Sequence, residues 1–429
     1  MTKLTAQNKM DKEFTVEVHT MPGSIYDELQ ERGFIAQVTN EAEVRDYLSQ
    51  PSATFYIGFD PTADSLHVGH FVQMMAMAHL QRAGHRPIAL LGGGTGMIGD
   101  PSDRTDMRKI MSLETIRHNV SRFERQMGIL LDFTDDRALM VDNAEWLAPL
   151  NYIEFIREIG SQFSVNRMLA AEAYKQRLER GLTFLEFNYM LLQAYDFLEL
   201  YRRYGCQLQI GGDDQWSNII AGADLIRRKE RGQAWGMTLT LLTNYAGEKM
   251  GKTVGGAVWL DPEKLKPYDF YQYWRNIDDA DVIRCLKLLT FLPLAKIRKF
   301  EHLQGQELNP VKELLAFELT RTVHGESIAQ EVDRTAKAIF SGVGTAEKMP
   351  EFKMPLTARQ TPLLELLTET GIIPSRSEGR RLIAQGGLYI NDQPVEDVDY
   401  IIADADLAEN AIIVRRGKKK YYRLLFTEG

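Results

Sequence analysis

The chain has 429 residues, of which 44% are hydrophobic and 26% are charged, and its formal net charge is -8 at pH 7. This length allows roughly two or three domains with a sizeable core. The acidic balance excludes a protein whose whole surface is basic, although it leaves room for a local basic patch.

The cysteine content and the distribution of apolar residues indicate the cellular compartment in which the protein is expected. Cys206 and Cys285 are the two cysteines and lie far apart in sequence, which excludes a disulfide framework and a thiolate zinc site. The N-terminal segment lacks the apolar run of a signal peptide, and no apolar stretch is long enough to span a bilayer. We therefore expect a cytoplasmic protein without membrane contact.

Short apolar runs that are typical of buried strands recur through the first half of the chain, and Gly, Asp or Asn marks the end of each. These runs are Ala53–Phe59, Arg86–Gly92, Arg137–Asn143 and Cys206–Gly212. Segments with helical spacing lie between them, and this alternation predicts an α/β fold with a Rossmann-like parallel sheet. Ligands of such sheets bind at the carboxyl ends of the strands.

The rest of the chain has a different composition. We end the α/β domain at residue 260 and expect an α-helical domain over 261–340, where the patterns are helical and rich in Leu, Lys and Glu. Residues 341–362 combine Gly, Pro and polar residues without a clear period, so we interpret them as a linker. Residues 363–429 mix helical and strand patterns, which predicts a small α+β module.

The segment "SLHVGHFVQMMAMAHLQRAG" predicts a helix directly after the first strand, with Ser65 as its N-cap and Gly84 at its end. His67 and His70 then lie in the first turn, where free N–H groups and the helix dipole attract anions. Gly69 leaves room for a bulky ligand near the backbone. Two imidazoles in this place can donate hydrogen bonds to phosphate oxygens. A structural role for one histidine stays open, whereas a metal site is disfavoured because no further ligand stands out nearby.

Two loops add to this picture. In "EKMGKTVGG", Lys249 and Lys252 flank a glycine, and two ammonium groups suit a leaving polyphosphate whose charge grows in the transition state. The alternative is a solvated lysine loop, and the spacing of a P-loop is absent. The glycine-rich segment Gly92–Asp100 follows a strand and indicates close approach of a ligand to the backbone.

One helix carries polar side chains among apolar ones. Tyr189, Gln193 and Asp196 have the spacing i, i+4 and i+7, so they share one face. A carboxylate in apolar surroundings needs a partner. Two interpretations remain: a structural hydrogen-bonded pair, for example with an arginine, or a ligand site.

Together these segments resemble the class I aminoacyl-tRNA synthetases, because "HVGH" is similar to the "HIGH" signature and "KMGKT" to the "KMSKS" loop of that class. The closest resemblance is to the bacterial-type tyrosyl-tRNA synthetase family, and the C-terminal module resembles an S4 RNA-binding domain. The resemblance runs from about Ile25 to Phe426. The segments that carry it, in family order, are "YIGFDPTADSLHVGH", "GGGTGMIGDPS", "LLQAYDF", "IGGDDQWSN" and "KMGKTVGGAVWLDP".

The resemblance implies a tyrosine–tRNA ligase that activates L-tyrosine with ATP to tyrosyl-adenylate and pyrophosphate, and then transfers tyrosyl to the 3′ end of tRNA(Tyr). The implied tyrosine-binding residues are Tyr56, Asp100, Tyr189, Gln193, Asp196 and Gln215. The implied ATP-binding residues are Asp60, His67, His70, Arg108, Gly212, Asp214, Lys249 and Lys252. Catalytic roles are implied for His67, His70, Lys249, Lys252 and Thr62.

Further expectations concern the partners. Tyr56 and Asp196 are the implied contacts of the phenolic hydroxyl, and Mg²⁺ is expected to travel on the ATP phosphates without a metal site in the protein. The family is dimeric, and the interface is implied to lie in an insertion at about 130–191. The basic residues that we expect to contact tRNA are Arg380, Arg381, Arg415, Arg416, Lys418, Lys419 and Lys420.

Several alternatives and departures remain. A tryptophanyl-tRNA synthetase, another adenylyl transferase of similar fold and a catalytically silent RNA-binding protein share parts of this pattern, and the basic C-terminal run can also be solvated surface. Asp213 stands where many relatives carry a small residue, and it either alters the ribose end of the site or faces solvent. Ile57 stands where some relatives have a smaller or polar residue. Gly251 and Thr253 replace the serines of the "KMSKS" loop.

Overall fold

The computed structural model describes residues 23–102, 111–172, 174, 178, 181–253, 256–391, 393–403, 406–407, 410–417 and 420–427, except 341–349. Contacts between the residues divide the chain into two compact units, one up to Ala329 and one from Gln330 onward. The predicted border at residue 260 stays a prediction, because the first unit contains both the sheet and the helices that follow it.

The first unit contains a sheet of six strands in the order β1-β6-β5-β2-β3-β4. All neighbours are parallel except β1, which pairs antiparallel with β6. This arrangement confirms the α/β fold and places the carboxyl ends of the parallel strands at one edge. The strands are β1 Ile35–Val38, β2 Thr54–Phe59, β3 Arg86–Leu91, β4 Leu139–Asp142, β5 Leu208–Gly212 and β6 Trp235–Leu239.

Helices cover this sheet, whose central strands β3 and β5 are almost fully buried. The helices of the α/β part are α1 Ile25–Arg32, α2 Glu41–Ser49, α3 Val68–Arg82, α4 Leu113–Met127, α5 Ala144–Leu147, α6 Tyr152–Glu158, α7 Val165–Leu169, α8 Phe184–Phe187, α9 Tyr189–Tyr204 and α10 Trp216–Glu230. A short hairpin follows, formed by β7 Lys252–Thr253 and β8 Gly256–Ala257. The later helices are α11 Pro267–Arg275, α12 Val282–Leu289, α13 Leu294–Arg298, α14 Asn309–His324 and α15 Glu326–Phe340, which contains the border of the two units.

Helix α3 begins later than the sequence predicts. Its N-cap is His67, whereas Ser65 is fully buried and its hydroxyl donates to the carbonyl of Leu66. The residues before the helix are held extended, because the carbonyl of Leu66 accepts from the N–H of Leu260 at 3.0 Å. Gly84 follows the helix with a φ of +96°, which confirms the predicted end.

The second unit is a small α+β structure built on a five-stranded sheet, in the order β11-β10-β12-β13-β9. Only β9 and β13 among the neighbouring strands are parallel. The elements are β9 Glu351–Pro355, α16 Leu363–Glu369, α17 Arg376–Ala384, β10 Leu388–Ile390, β11 Gln393–Pro394, β12 Ala411–Arg416 and β13 Lys420–Thr427. The prediction of a linker over 341–362 is therefore wrong for β9, since this segment gains backbone hydrogen bonds only from the distant β13. No helix in the described part of the chain is long and apolar enough to cross a membrane.

Arg32 joins the α/β part to the helices that follow it. The side chain is 2% exposed, pairs with Glu28 at 2.8 Å, and donates to the carbonyls of Lys287, Thr290 and Leu292 at 3.1, 3.2 and 3.0 Å. These carbonyls lie at and beyond the end of α12, where the helix leaves its last acceptors without partners. One guanidinium thus satisfies several buried acceptors in a segment that is remote in sequence.

We predict that Arg32→Met lowers the free energy of unfolding by about 3–5 kcal/mol, because it leaves Glu28 and these carbonyls without their donor in a buried place. Chemical denaturation followed by tryptophan fluorescence measures the effect. Arg298→Met is the matched control, since Arg298 also joins this region to α1, through Glu31, but is 57% exposed; its loss should stay below about 1 kcal/mol. Equal losses in both variants would contradict the prediction.

Candidate active site

A cavity of about 200 Å³ opens at the carboxyl ends of the strands, where the last residues of β2 and β5, Phe59 and Gly212, line it. The structure thus places a cavity at the edge where the sheet predicts one. It brings together residues that are widely spaced in sequence. Among the candidate residues, those that line this cavity are Tyr56, Asp60, Thr62, His70, Asp100, Tyr189, Gln193, Asp196, Gly212, Asp214 and Gln215.

Asp196 lies at the apolar end of the cavity and is 2% exposed. Its two oxygens accept separate hydrogen bonds, one from Trp146 Nε1 at 2.7 Å and one from Asn143 Nδ2 at 2.9 Å. Burial raises the pKa of the Asp196 carboxyl to about 8, and these two donors act in the opposite direction. The partners of this carboxylate are therefore an amide and an indole, and not the arginine that the sequence left open.

Some buried polar atoms in the cavity wall have no hydrogen-bond partner among the described residues. They are the hydroxyl of Tyr56, whose side chain is 1% exposed, and the Oε1 atoms of Gln193 and Gln209. Burial, followed by the charge of Asp196, raises the pKa of Tyr56 above its usual value. Because an unsatisfied buried polar atom costs about 1–3 kcal/mol, a ligand that pairs with such atoms gains free energy on entering.

The polar end of the cavity is acidic. Asp100 accepts from Gln215 Nε2 at 2.8 Å, and the same amide donates to Asp214 at 3.1 Å. Tyr189 donates its hydroxyl to Asp60 at 3.0 Å. Burial raises the pKa values of Asp100 and Asp214. Carboxyl groups that are crowded and partly desolvated favour a cationic ligand such as an ammonium group, which stabilises their charged form.

Close backbone approach at this end depends on glycine. A Cβ on Gly92 would lie 2.1 Å from Oδ1 of Asp60, and one on Gly93 would lie 2.2 Å from Oδ1 of Asp142. The N–H of Gly93 also donates to Asp142 at 3.0 Å. The glycine-rich loop that the sequence singled out is therefore packed directly against the carboxylates of the site.

A second cavity, of about 270 Å³, adjoins the first and shares His70, Gln73, Gly212 and Asp214 with it. His67 and Lys249 line the second cavity and not the first. The second cavity thus lies between the start of α3 and the lysine loop.

The two histidines cap the helix that carries them. Nδ1 of His67 accepts from the N–H of Gly69 at 3.0 Å, and Nδ1 of His70 accepts from the N–H of His67 at 3.2 Å. A neutral imidazole that accepts at Nδ1 carries its proton on Nε2. Both rings are thereby fixed as Nε2 donors at the helix N-terminus. The first backbone N–H groups of the helix already have partners within the protein, since Val68 donates to the carbonyl of Val258, Gly69 to His67 Nδ1 and His70 to the carbonyl of His67.

Some candidate residues have other surroundings or cannot be placed. Arg108 lies outside the described residues, and so does the side chain of Lys252. Asp213 is half-buried and lines neither cavity, and its carboxylate accepts from Gln37 on β1 and Thr238 on β6 at 2.7 Å each. Ile57 is fully buried and lines neither cavity.

Sequence reasoning missed several residues of the site: Gln73, Asn143 and Gln209 line the first cavity, and Trp146 bonds to Asp196 from outside it. Asn143 ends a predicted strand, and Trp146 follows one helical turn later, so their place at the carboxyl edge was a usable signal. Gln73 lies one turn beyond His70 on the same helix. Gln209, beside Tyr56 in the sheet, is 2% exposed and had no sequence signal beyond its place in a strand.

The candidate RNA-binding residues of the second unit differ in their solvent exposure and in their contacts within the protein. Arg380 is exposed, and Arg381 is 65% exposed beside Glu378. The guanidinium of Arg415 stacks on the ring of Tyr389 at 3.5 Å, and Arg416 donates to the carbonyl of Ile372 at 2.8 Å. Lys418 and Lys419, together with the side chain of Lys420, lie outside the described residues.

Comparison with known proteins agrees with this geometry. The family model of the class I tRNA synthetases for tryptophan and tyrosine matches residues 48–341, and the model of the SYY-like C-terminal domain of tyrosine–tRNA ligase matches residues 343–424. The chain therefore belongs to the class I aminoacyl-tRNA synthetases. Within this class it is a member of the bacterial tyrosyl-tRNA synthetase family, the tyrosine–tRNA ligases, which confirms the family and the activity that the motifs predict.

Individual relatives support the assignment. The chain is 59% identical to the tyrosine–tRNA ligase of Caldanaerobacter subterraneus subsp. tengcongensis, over 94% of this chain and 100% of that protein. It is 57% identical to the enzyme of Clostridium botulinum strain 657, over 94% and 99%. A C-terminally truncated mitochondrial tyrosyl-tRNA synthetase of Aspergillus nidulans matches at 28% identity with a TM-score of 0.66, covering 74% of this chain and 94% of that one.

The hydrogen bonds to Asp196 generate a prediction on pH. The carboxyl of the free protein is neutral below about 8 and ionised above, and a carboxylate accepts the tyrosine hydroxyl better than a neutral acid does. We expect kcat/KM for tyrosine to rise with pH through a midpoint of about 8. Trp146→Phe removes a donor to the ionised form, so the midpoint should rise by about one unit or more.

The control is Trp235→Phe, because Trp235 Nε1 donates to Glu43 at 2.6 Å and does not line the cavity. Its midpoint should equal that of the unsubstituted protein. A flat pH profile, or a midpoint that falls in Trp146→Phe, would show that the ionised Asp196 is not the acceptor.

Proposed function

We propose that the first cavity binds L-tyrosine with its phenolic hydroxyl between Tyr56 and Asp196 and its ammonium group at the acidic end. The observation that carries this proposal is the pairing at the apolar end, where a doubly hydrogen-bonded Asp196 lies near a Tyr56 hydroxyl without a partner among the described residues. A phenol completes this arrangement, since its oxygen accepts from Tyr56 and its proton is donated to Asp196. Phenylalanine leaves the Tyr56 hydroxyl without a partner and gives Asp196 no donor beyond Asn143 and Trp146, and such a loss is costly in a dry site.

The other end of tyrosine has matching partners. The ammonium group donates to Oε1 of Gln193, which lacks a partner among the described residues, and to Asp100. The ammonium charge stabilises the ionised forms of Asp100 and Asp214, whose pKa values are raised mainly by burial and further by neighbouring carboxylates. The Gln215 amide, which donates to both carboxylates in this structure, then lies close to the tyrosine carboxylate.

The second cavity takes ATP, whose α-phosphate meets tyrosine near His70 and Gly212, two of the four residues that both cavities share. The tyrosine carboxylate is already ionised at neutral pH, because an α-carboxyl group titrates at about pH 3.5, so the first step needs no general base. One of its oxygens forms a bond to the α-phosphorus while the bond to the bridging oxygen of pyrophosphate breaks. Tyrosyl-adenylate and pyrophosphate result without a covalent enzyme intermediate.

The protein contributes positioning and charge stabilisation to this step. The Nε2 protons of His67 and His70 and the ammonium of Lys249 meet the charge that grows on the leaving pyrophosphate. Lys252, Arg108 and Thr62 are proposed to assist. Mg²⁺ is proposed to enter on the ATP phosphates, because the described residues include no group of three side chains suited to hold an ion. In the second step, the terminal ribose hydroxyl of tRNA takes the tyrosyl group and AMP leaves.

Tyrosine-dependent exchange of pyrophosphate into ATP tests this assignment. We expect exchange with tyrosine and not with phenylalanine or tryptophan. We also expect Asp196→Ala to lower kcat/KM for tyrosine by at least about 100-fold, since it removes the acceptor of the tyrosine hydroxyl, leaves the buried donors Asn143 and Trp146 unpaired and opens a cavity. Asp224→Ala is the control, because this carboxylate bonds to Arg227 and Arg228 and lines neither cavity. Near-normal exchange and selectivity in Asp196→Ala would refute the role.

The second unit is proposed to bind tRNA through its exposed arginines. Arg380 and Arg381 lie on α17, and phosphate contacts of this kind dominate the affinity for nucleic acid and weaken with salt. Charging of tRNA takes place where proteins are synthesised, so we place the activity in the cytoplasm.

We predict that the double variant Arg380→Glu/Arg381→Glu lowers kcat/KM for tRNA charging by about tenfold or more at low salt and flattens its salt dependence, while exchange without tRNA stays unchanged. The control with the same change of charge is Arg334→Glu/Lys337→Glu on α15. Unchanged tRNA charging in the first variant, or equal losses in both variants, would contradict the proposal that α17 binds tRNA.

A homodimer is also part of the proposal. Large apolar side chains are exposed within the predicted interface region 130–191, as is typical of a surface that is covered by a partner. They are Tyr152, Ile153, Ile156, Val165, Leu178 and Phe184, with exposures from 38% to 71%.

A further inference from the structure

A series of hydrogen bonds connects helix α11 to the start of helix α3 through the lysine loop. The hydroxyl of Tyr273 on α11 accepts from the N–H of Gly251 at 3.1 Å. The carbonyl of Gly251 accepts from the N–H of Val258 at 2.8 Å, and the carbonyl of Val258 accepts from the N–H of Val68 at 3.0 Å. Val68 is the first residue of α3 and follows His67, so the series ends at the proposed phosphate site.

The backbone at Gly251 can occupy this place only as glycine. Its φ is +87°, in the left-handed region, and a Cβ there would lie 2.3 Å from Cγ2 of Val68. Any other residue meets both backbone strain and a steric clash. The loop is thus packed directly against Val68, which follows His67 and is the first residue of α3.

The other end of the loop is held from the same set of helices. Arg284 on α12 donates to the carbonyl of Leu241 at 2.9 Å and to that of Thr243 at 3.1 Å. The carboxylate of Asp281 accepts from the N–H of Tyr245. Lys249 therefore lies on a segment whose two ends are both tied to the helices after the α/β part.

Tyr273 itself lies outside the second cavity. It lines a separate cavity of about 470 Å³ on the other side of the loop, and it does not line the cavity that contains His67 and His70. Lys249 lines both of these cavities, and its charge acts on Asp214 across the nucleotide side. An effect of the Tyr273 hydroxyl on ATP must therefore pass through Gly251 and the loop.

We propose that Tyr273 is a positioning residue for the adenylation step: its hydroxyl fixes the lysine loop at Gly251 and thereby sets the distance between Lys249 and the histidines of α3. This inference rests on the proposed function of the second cavity as the ATP site. Because the loop already presents Lys249 to Asp214, loss of the tether reduces the fraction of molecules with the lysine in place. Loss of one neutral hydrogen bond changes such an equilibrium by roughly 3- to 10-fold.

The test is Tyr273→Phe in the full-length chain, measured by tyrosine-dependent pyrophosphate exchange. We expect KM for ATP to rise about 3- to 10-fold, KM for tyrosine to stay within about twofold, and the melting temperature to stay unchanged because the ring remains. A purely structural role would move both KM values together with the melting temperature. Tyr245→Phe is the matched control, since this tyrosine lies in the same loop with its side chain 68% exposed, and it should leave both KM values unchanged.

A double-substitution cycle with Gly251→Ala adds a second measurement. Gly251→Ala displaces the same N–H that Tyr273 accepts from, so the two substitutions remove one contact. The double variant should therefore have the KM for ATP of Gly251→Ala alone, whereas multiplied effects would show that the residues act separately.

The outcomes separate the two proposals. An unchanged or lower KM for ATP in Tyr273→Phe, equal rises for ATP and tyrosine, or multiplied effects in the cycle would each overturn the role of Tyr273. Absence of tyrosine-dependent exchange in the unsubstituted chain would instead refute the proposed function.

Discussion

The short antiparallel pairing of residues 66–68 with residues 258–260 is the constraint on which the site depends. The N–H of Val68 donates to Val258, and the N–H of Leu260 donates to Leu66, with His67 opposite Trp259 between them. These two segments are about 190 residues apart in the chain, and each adjoins one of the cationic motifs. Their pairing brings the histidines at the start of α3 beside the lysine loop, and it does so with backbone groups that are independent of the side chains used for chemistry.

The two ends of the site have opposite electrostatic character, and each follows from what surrounds it. Around the first cavity, carboxylates are crowded in a partly dry place, so burial raises the pKa values of Asp100, Asp196 and Asp214. Around the second, imidazoles at a helix N-terminus and a lysine present donors. In the proposed binding mode, a zwitterionic amino acid has its ammonium group at the acidic end and its carboxylate toward these donors. We expect this asymmetry, together with the Gln215 amide, to orient the nucleophile toward the phosphate.

The parts of this fold that the sequence predicts are those with a strong local signal. Four strands are continuous apolar runs that end in Gly, Asp or Asn, and the structure confirms each, slightly shortened. The strands β1 and β6 were missed, because β1 has four residues with two exposed in its middle and β6 has a glycine in a run of five. Strand β9 resembles a linker in sequence because its hydrogen-bond partner, β13, lies about 70 residues later.

The same limit applies to the site. The motifs identify His67, Tyr56 and Asp196 without any knowledge of the fold. The donors to Asp196 depend on where β4 ends relative to α9, which no periodicity records. Likewise Ser65 has the better intrinsic preference for a helix N-cap, but the pairing with residues 258–260 keeps it extended and gives the cap to His67. Long-range backbone pairing outweighs a local preference of about 1 kcal/mol.

The departure at Gly251 follows from this same pairing. In the class to which the chain belongs, the loop signature has a serine at this position, and a serine with φ near +87° would be strained and would collide with Val68. Glycine can therefore adopt the backbone conformation that the loop has at residue 251, whereas a serine there requires a different conformation of the loop. The replacement of serine by glycine therefore allows the loop to pack more closely against α3. In this position the N–H of the same glycine donates to the hydroxyl of Tyr273.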